Sequence, residues 1–269
     1  LAELHDNTDI VGTVTAKAAA QTGLLEGTPV ITGADDSGAE AVSTGILEVG
    51  DLMIQMGSTL YFIGIADHLV HDSRIWSGGF LIPNTNSVQG GTNAAGTLTR
   101  WYRDNLFFDA LELEKAGGPD AYETMMKGLE DIPVGSDGLI TLPYIAGERT
   151  PINDPKAKGM IFGLSMQHTR AHIYHSALES IGYSIANHLA IFRENGAAPK
   201  RIFAAGGGTK NPIWMQIIAD ITGEEIHTAN VTIGAAYGDA LMAAIATGHL
   251  SKFADIRNYI TEGVSYKPN

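Results

Sequence analysis

Arg201 to Trp214 reads RIFAAGGGTKNPIW: a short apolar run, three consecutive glycines, then a helix start. A strand that feeds a helix through glycines is an α/β unit, and the rest of the fold is read outward from it. Glycines at such a turn let the backbone approach a ligand closely. Free N–H groups at the following helix N-terminus favour anions such as phosphate. Two nucleotide loops can be tested here. The dinucleotide fingerprint G-x-G-x-x-G fits Gly206 and Gly208, but its last position is Asn211. A Walker A loop needs Lys followed by Ser or Thr, and Lys210 is followed by Asn211. Both patterns fail. Either a flat or phosphorylated ligand is held by another scheme, or the stretch is a plain tight turn.

C-terminal to this unit come a helix from Pro212, a short strand near Glu225 to His227 and an alanine-rich helix from Gly234 to Thr247. Pro212 suits a first helical turn, where its missing N–H costs nothing. N-terminal to it, Thr169 to Asn195 predicts a long helix with a stripe of Ile173, Leu178, Ile181, Ile185, Leu189 and Phe192. Gly138 to Tyr144 reads as a strand running into GERTPINDPKAKG, a long polar loop of the kind that is usually functional. Leu52 to Met56 and Leu60 to Ile65 flank a Gly57-Ser58-Thr59 turn as in a hairpin. Phe80 to Ile82 and Ser87 to Gln89 are candidate strands. Asn93 to Leu106 has helical periodicity through Leu98, Trp101, Tyr102 and Leu106, and Gly117 to Leu129 reads as a surface helix. Near the N-terminus, TPVIT (28–32) reads as β, followed by a small-residue helix from about Ser37 to Ile46. Clustered strands that later alternate with helices imply an α/β fold with a mixed sheet. No repeat or linker divides residues 1–269, so one domain is expected.

Composition narrows the function. The chain carries 17 basic against 30 acidic residues, a net charge of −13, with no Lys/Arg run. Nucleic-acid binding, which needs a basic face, is disfavoured. With no cysteine, disulfides, thiol catalysis and cysteine-based metal sites are excluded, which fits a cytoplasmic protein. No apolar stretch approaches the roughly 18 residues of a membrane span, and no signal peptide is visible. Leu1 opens inside sequence that already reads as folded domain. The expectation is a piece of a longer protein, with a processed mature protein as the alternative.

Several residues can carry chemistry. Asp35 and Asp36 end an apolar run, where a carboxylate facing a cleft can act as general base. The competing reading is capping by Asp36 or Ser37, with Glu40 completing a capping box. Gly57-Ser58-Thr59 offers N–H groups and hydroxyls that suit phosphate oxygens, or it is a simple hairpin turn. Gly90-Gly91-Thr92-Asn93 is similarly ambiguous. His168, His172 and His175 share one helix face at a metal-compatible spacing. No acidic partner completes an HExxH pattern, so they read as solvated helix histidines and no metal ligand is assigned. A Ser-His-Asp hydrolase lacks its G-x-S-x-G elbow.

Taken together, these stretches resemble the C-terminal half of the FGGY carbohydrate kinases, xylulose kinases most closely. The most specific element is Gly159-Met160-Ile161-Phe162-Gly163-Leu164, followed after seven residues by His172-Ile173 and then Ser176-Ala177-Leu178-Glu179. VITGADDSGAEA, QMGSTLYF, PYIAGERTPINDP and AAGGGTKNPIWMQIIADITG follow the family's order. The resemblance implies an actin-like, ribonuclease-H-like fold and in-line transfer from ATP to a sugar hydroxyl with Mg²⁺. ATP would bind largely on this half, and the sugar largely on an N-terminal domain absent from this chain. It puts the catalytic base at Asp35, within Ala34-Asp35-Asp36 where the family usually has G-D-N. Asp36 would then sit as a like charge beside the base. Phosphate contacts fall at Gly57, Ser58 and Thr59, and phosphate and ribose contacts at Gly96 and Arg100. Adenosine falls at Gly206, Gly207, Gly208 and Asn211. Glu148, Arg149 and Thr150 take a supporting role. A ketose such as D-xylulose is the implied acceptor, with ribulose, glycerol or gluconate as alternatives. A non-catalytic nucleotide-dependent module on the same fold is the competing class. FGGY kinases are often dimers, so a homodimer is the expected assembly.

Overall fold

The structure is a computed structural model that describes residues 3–230 and 234–269. An N-terminal unit comprises β1 (Ile10–Thr13), α1 (Ala16–Thr22) and β2 (Pro29–Ile31), with β1 and β2 paired antiparallel apart from the main sheet. Thr15 caps α1 and Gly23 ends it in the left-handed conformation. Neither β1 nor α1 has a buried residue.

The main body follows. α2 (Asp36–Ser43) leads to β3 (Asp51–Met56), β4 (Leu60–Ala66), β5 (Trp76–Gly79) and β6 (Asn86–Thr92). Then come α3 (Gly96–Leu106), α4 (Phe108–Lys115), α5 (Ala121–Met126), β7 (Ile140–Leu142), β8 (Met160–Phe162) and α6 (Arg170–Glu194). The chain continues through β9 (Arg201–Ala205), α7 (Pro212–Thr222), β10 (Ile226–Ala229), α8 (Ala235–Ala246) and β11 (Glu262–Tyr266). Among the described residues, seven strands form one sheet in the order β11-β10-β9-β3-β4-β6-β5. β3, β4 and β6 are an antiparallel meander, extended across β3 by parallel β9 and β10. The sheet is mixed, as the sequence implies.

Strand alternation gives the sheet two buried faces. Leu52, Ile54, Met56 and Phe62 pack with residues of α3, α6 and α7 in the larger core. Met53, Ile63, Ile65 and Phe203 face the other way and meet Ala41 of α2. A buried apolar side chain of this kind stabilises by roughly 1.5–3 kcal/mol, so the two-sided central strands are the rigid base of the molecule. On α6, the expected stripe from Leu178 to Phe192 is fully buried.

Some expected elements change. Phe80 to Ile82 is not a strand: Asn84 adopts φ 62° and the Phe80 N–H closes a loop onto the Thr85 carbonyl. β5 lies just before that loop. The helix expected at Gly117 to Leu129 is only Ala121–Met126, because Asp120 caps it after a break at Gly117-Gly118. α3 begins at Gly96 rather than Asn93, whose N–H is held by the Glu148 carboxylate at 2.9 Å.

Candidate functional site

The Gly57-Ser58-Thr59 turn joins β3 to β4 and packs directly on the start of α3. The Ala95 and Thr97 N–H groups donate to the Ser58 carbonyl at 3.1 and 2.9 Å, and Gly96 N–H donates to the Gly57 carbonyl at 3.0 Å. With its carbonyls turned to the helix, the turn presents Ser58 and Thr59 N–H groups that have no hydrogen-bond partner among the described residues. The approach depends on glycine: a Cβ at Gly96 would lie 2.7 Å from the Gly57 oxygen.

The glycine loop after β9 forms a short 3₁₀ turn at Gly207–Lys210, with Gly206 at φ 90°. Asn211 caps α7 through its Oδ1, which accepts from Trp214 N–H at 3.0 Å, and Pro212 takes the first turn. That cap fixes the amide orientation, leaving the Asn211 Nδ2 donor for a ligand. Gly208 lies against Met56 and the Trp214 ring. Trp214 in turn donates to the Leu178 carbonyl, tying the loop's helix to α6.

These segments enclose a cavity of about 590 Å³. It is lined by Gly57, Ser58, Gly96, Arg100, Gly207, Gly208 and Asn211 from the sequence-selected set. Among the lining residues that the sequence did not flag are Asp120, Tyr122, Glu123, Met126, Tyr174 and Trp214, with Lys210 beside them. One part of the wall is aromatic and apolar, and another offers backbone donors with two cations, Arg100 and Lys210. Ligand cavities commonly span about 300–1,000 Å³. Thr59 and Gly206 flank this cavity without lining it. Gly206 instead opens on a neighbouring pocket of about 270 Å³ with Glu40, Thr44 and Gly234.

Asp35 stands apart from that cavity, at the N-terminus of α2 on the opposite sheet face. It is itself the helix cap: Oδ1 accepts from Gly38 N–H at 3.2 Å and Oδ2 from the Ser37 hydroxyl. The expectation of a cap at Asp36 or Ser37 is therefore corrected. Glu40 is not part of a capping box either. It accepts from Gln55 at 2.6 Å, and burial raises its pKa, with the Gln55 bond opposing and Asp36 adding to the rise. Next to Asp35 lies Tyr61, whose hydroxyl donates to Gln89 at 2.6 Å and whose ring stacks near Trp76 at 6.5 Å. Burial raises the Tyr61 pKa; Ser37 opposes, Asp35 adds to it, and Arg149 opposes.

The GERTP loop is a strap across β6. Glu148 is buried and accepts from Asn93 and Arg149 N–H groups at 2.9 and 2.7 Å; burial raises its pKa. The Thr150 hydroxyl bonds Gly91 on both its N–H and carbonyl sides and contacts His188, a buried ring stacked on Phe62 at 4.4 Å. Burial lowers the His188 pKa. The loop thus grips β6, the strand that pairs with β4 and leads into α3.

Of the three histidines, His168 and His172 stay partly exposed, while His175 is buried, which corrects the sequence reading there. His168 accepts from Ser165, His172 completes the cap of α6 with Thr169, and His175 is buried against Ser136 Oγ at 2.8 Å. Burial alone would raise Glu179, but bonds from His175, Ser136 and the Gly135 N–H hold its pKa below the usual carboxylate value. Glu179 is one helical turn on from His175, but Ser136 is remote in sequence, so only the folded loop completes the trio.

The mixed sheet, flanking helices and glycine-built cavity define an actin-like ATPase fold. The family model described as "FGGY family of carbohydrate kinases, C-terminal domain" matches residues 54–247, and the chain belongs to that family. It is 29% identical over 268 residues to a xylulose kinase of Bacillus subtilis, covering 98% of this chain and 52% of that protein. It is 27% identical to a gluconokinase of the same organism, covering 100% of this chain and 53% of that one. Among solved structures, the xylulose kinase from Rhodospirillum rubrum superposes with a TM-score of 0.88 at 33% identity, over 98% of this chain and 52% of that one. The chain spans about half the length of these relatives. Among the described residues, no helix is long and apolar enough to cross a membrane.

Proposed function

We propose that this chain is the nucleotide-binding half of an ATP-dependent sugar kinase that phosphorylates a ketose such as D-xylulose. The observation that carries the reading is the shared cavity of about 590 Å³ joining the Gly57-Ser58 turn, Gly96, Arg100 and the Gly207-Gly208-Asn211 loop. Its aromatic wall of Tyr122, Tyr174 and Trp214 suits a purine, and its N–H groups and cations suit phosphates. Phosphoryl transfer needs positioning and charge neutralisation more than covalent chemistry.

In this reading Ser58 and Thr59 N–H groups hold the phosphates, and Arg100 neutralises charge at the cavity rim. Asp35, an exposed carboxylate already fixed by Ser37 and Gly38, accepts the proton of the sugar hydroxyl as it attacks the γ-phosphorus. Mg²⁺ takes one or two carboxylates together with phosphates and waters. Among the described residues no group of three or more His, Asp or Glu side chains could hold a metal ion by itself, so the ion would be held chiefly by the nucleotide's phosphates. Such an ion supplies charge neutralisation. The rest of the relatives' length would supply most of the sugar's contacts.

The test is an ADP-release screen of the chain extended to its relatives' full length, against pentuloses, gluconate and polyols with ATP and Mg²⁺. The expected result is turnover with D-xylulose; the isolated chain should bind ADP weakly and not turn over. Turnover with gluconate instead would move the acceptor to a sugar acid, in line with the gluconokinase similarity. No turnover with any acceptor, together with no ADP binding by the chain, would defeat the kinase reading.

A further inference from the structure

Among the described residues, the cation of the GERTP loop forms no ion pair. Arg149 Nη2 donates to the Thr92 carbonyl at 2.9 Å and to the Leu60 carbonyl at 3.4 Å. Nε is buried without a partner, and among the described residues Nη1 makes no hydrogen bond and no carboxylate forms an ion pair with the guanidinium, although the adjacent Glu148 feels its charge. Guanidinium offers five donors in a fork suited to oxyanions. In a chain of net charge −13, an arginine left without a carboxylate is a choice of the fold, since acidic partners are plentiful.

Its placement follows from the sheet. On β6, a Cβ at Gly90 would run into His188 and Thr150, while one at Gly91 would lie 2.9 Å from the Leu60 carbonyl oxygen and 3.1 Å from Arg149 Nη2. Neighbouring strand residues point to opposite faces, so the guanidinium lies on the face opposite His188. Gly91 pairs with Tyr61 on β4, which puts Arg149 on the Tyr61 face. That face carries Trp76, 6.0 Å from the guanidinium carbon, and the α2 N-terminus with Ser37 and Asp35. The Leu60 carbonyl it touches belongs to the residue immediately after the Gly57-Ser58-Thr59 turn. Arg149 therefore stands between the turn that offers phosphate-type donors and the carboxylate proposed as base.

We propose that Arg149 binds an oxyanion on this face of the sheet, the terminal phosphoryl group of the nucleotide, and that glycine at position 91 leaves room for both the guanidinium and the Leu60 carbonyl. This rests on the kinase reading above. An acceptor carboxylate has the same chemistry and is the other source to separate.

The experiment is calorimetric titration of the 269-residue chain and its Arg149→Gln and Arg149→Lys variants with AMP, ADP and the non-hydrolysable ATP analogue AMP-PNP, and of the same variants extended to the relatives' full length with gluconate, all with Mg²⁺. A charge-assisted bond to the terminal phosphate predicts that Arg149→Gln weakens AMP-PNP about ten- to a hundredfold while ADP and AMP change less than about threefold. Arg149→Lys should recover part of that loss. Loss of gluconate affinity alone would keep the oxyanion role and assign it to the acceptor. Equal loss for all three nucleotides with a lowered melting temperature would make Arg149 a strap between Leu60 and Thr92 and overturn the proposal. Unchanged affinities would overturn it too. If the wild-type chain binds none of the nucleotides, the kinase reading fails first, and this inference with it.

Discussion

At the scale of single residues, Asp35 carries two duties that a well-chosen substitution separates. It caps α2, and it is the proposed base. Asn caps a helix about as well as Asp, whereas Ala costs about 1 kcal/mol. Asp35→Asn should therefore keep the melting temperature of the full-length protein and lower kcat by about 10²–10⁴-fold, with ADP binding retained. Asp35→Ala should lose both turnover and a measurable part of stability. Wild-type turnover by Asp35→Asn would leave the residue as a cap and nothing more. The sequence presented capping and catalysis as competitors at Asp35-Asp36. The structure puts the cap on the very residue the family resemblance selects, so the two readings were never exclusive.

Among the elements, the contact between α3 and the turn after β3 is the one most open to a test. Replacing Gly96 by Ala would gain about 1 kcal/mol from helix propensity. The added Cβ would meet the Gly57 oxygen at 2.7 Å, and overpacking of this kind costs about 1–3 kcal/mol. The overlap should win: Gly96→Ala is expected to lower the melting temperature by calorimetry and to weaken ADP binding about tenfold, because relief pushes the turn out of place. A variant as stable and as tight as wild type would show that the turn yields freely. Elements of this central kind were legible in the sequence. β3, β4, β9, α6 and α7 carry long apolar patterns or sharp signals such as Pro212. β1 and β11 were not: IVGT and EGVSY are short, exposed edge strands whose pairing depends on partners elsewhere in the chain. The aromatic wall from Tyr122 to Met126 was missed for a related reason. Its helix reads as amphipathic surface, and what it faces is decided by the break at Gly117-Gly118.

For the molecule as a whole, stability is unevenly spread. The central strands are buried on both faces, while β1 and α1 bury nothing. Regions with few buried contacts open most readily. Hydrogen exchange should show amides of Ile10–Thr13 and Ala16–Thr22 exchanging orders of magnitude faster than those of Asp51–Met56 and Leu60–Ala66. Equal protection would mean that another surface covers the N-terminal unit in solution. The body that stays closed is the one that frames the cavity. Its turn carbonyls are already committed to the Gly96 and Thr97 amides, so the outward donors need no rearrangement when an anion arrives. Folding has done in advance the ordering that a floppy loop would perform at each encounter. Association with nucleotide should therefore proceed as a single diffusive step, its observed rate rising linearly with ligand concentration and showing no plateau from a slow closing motion.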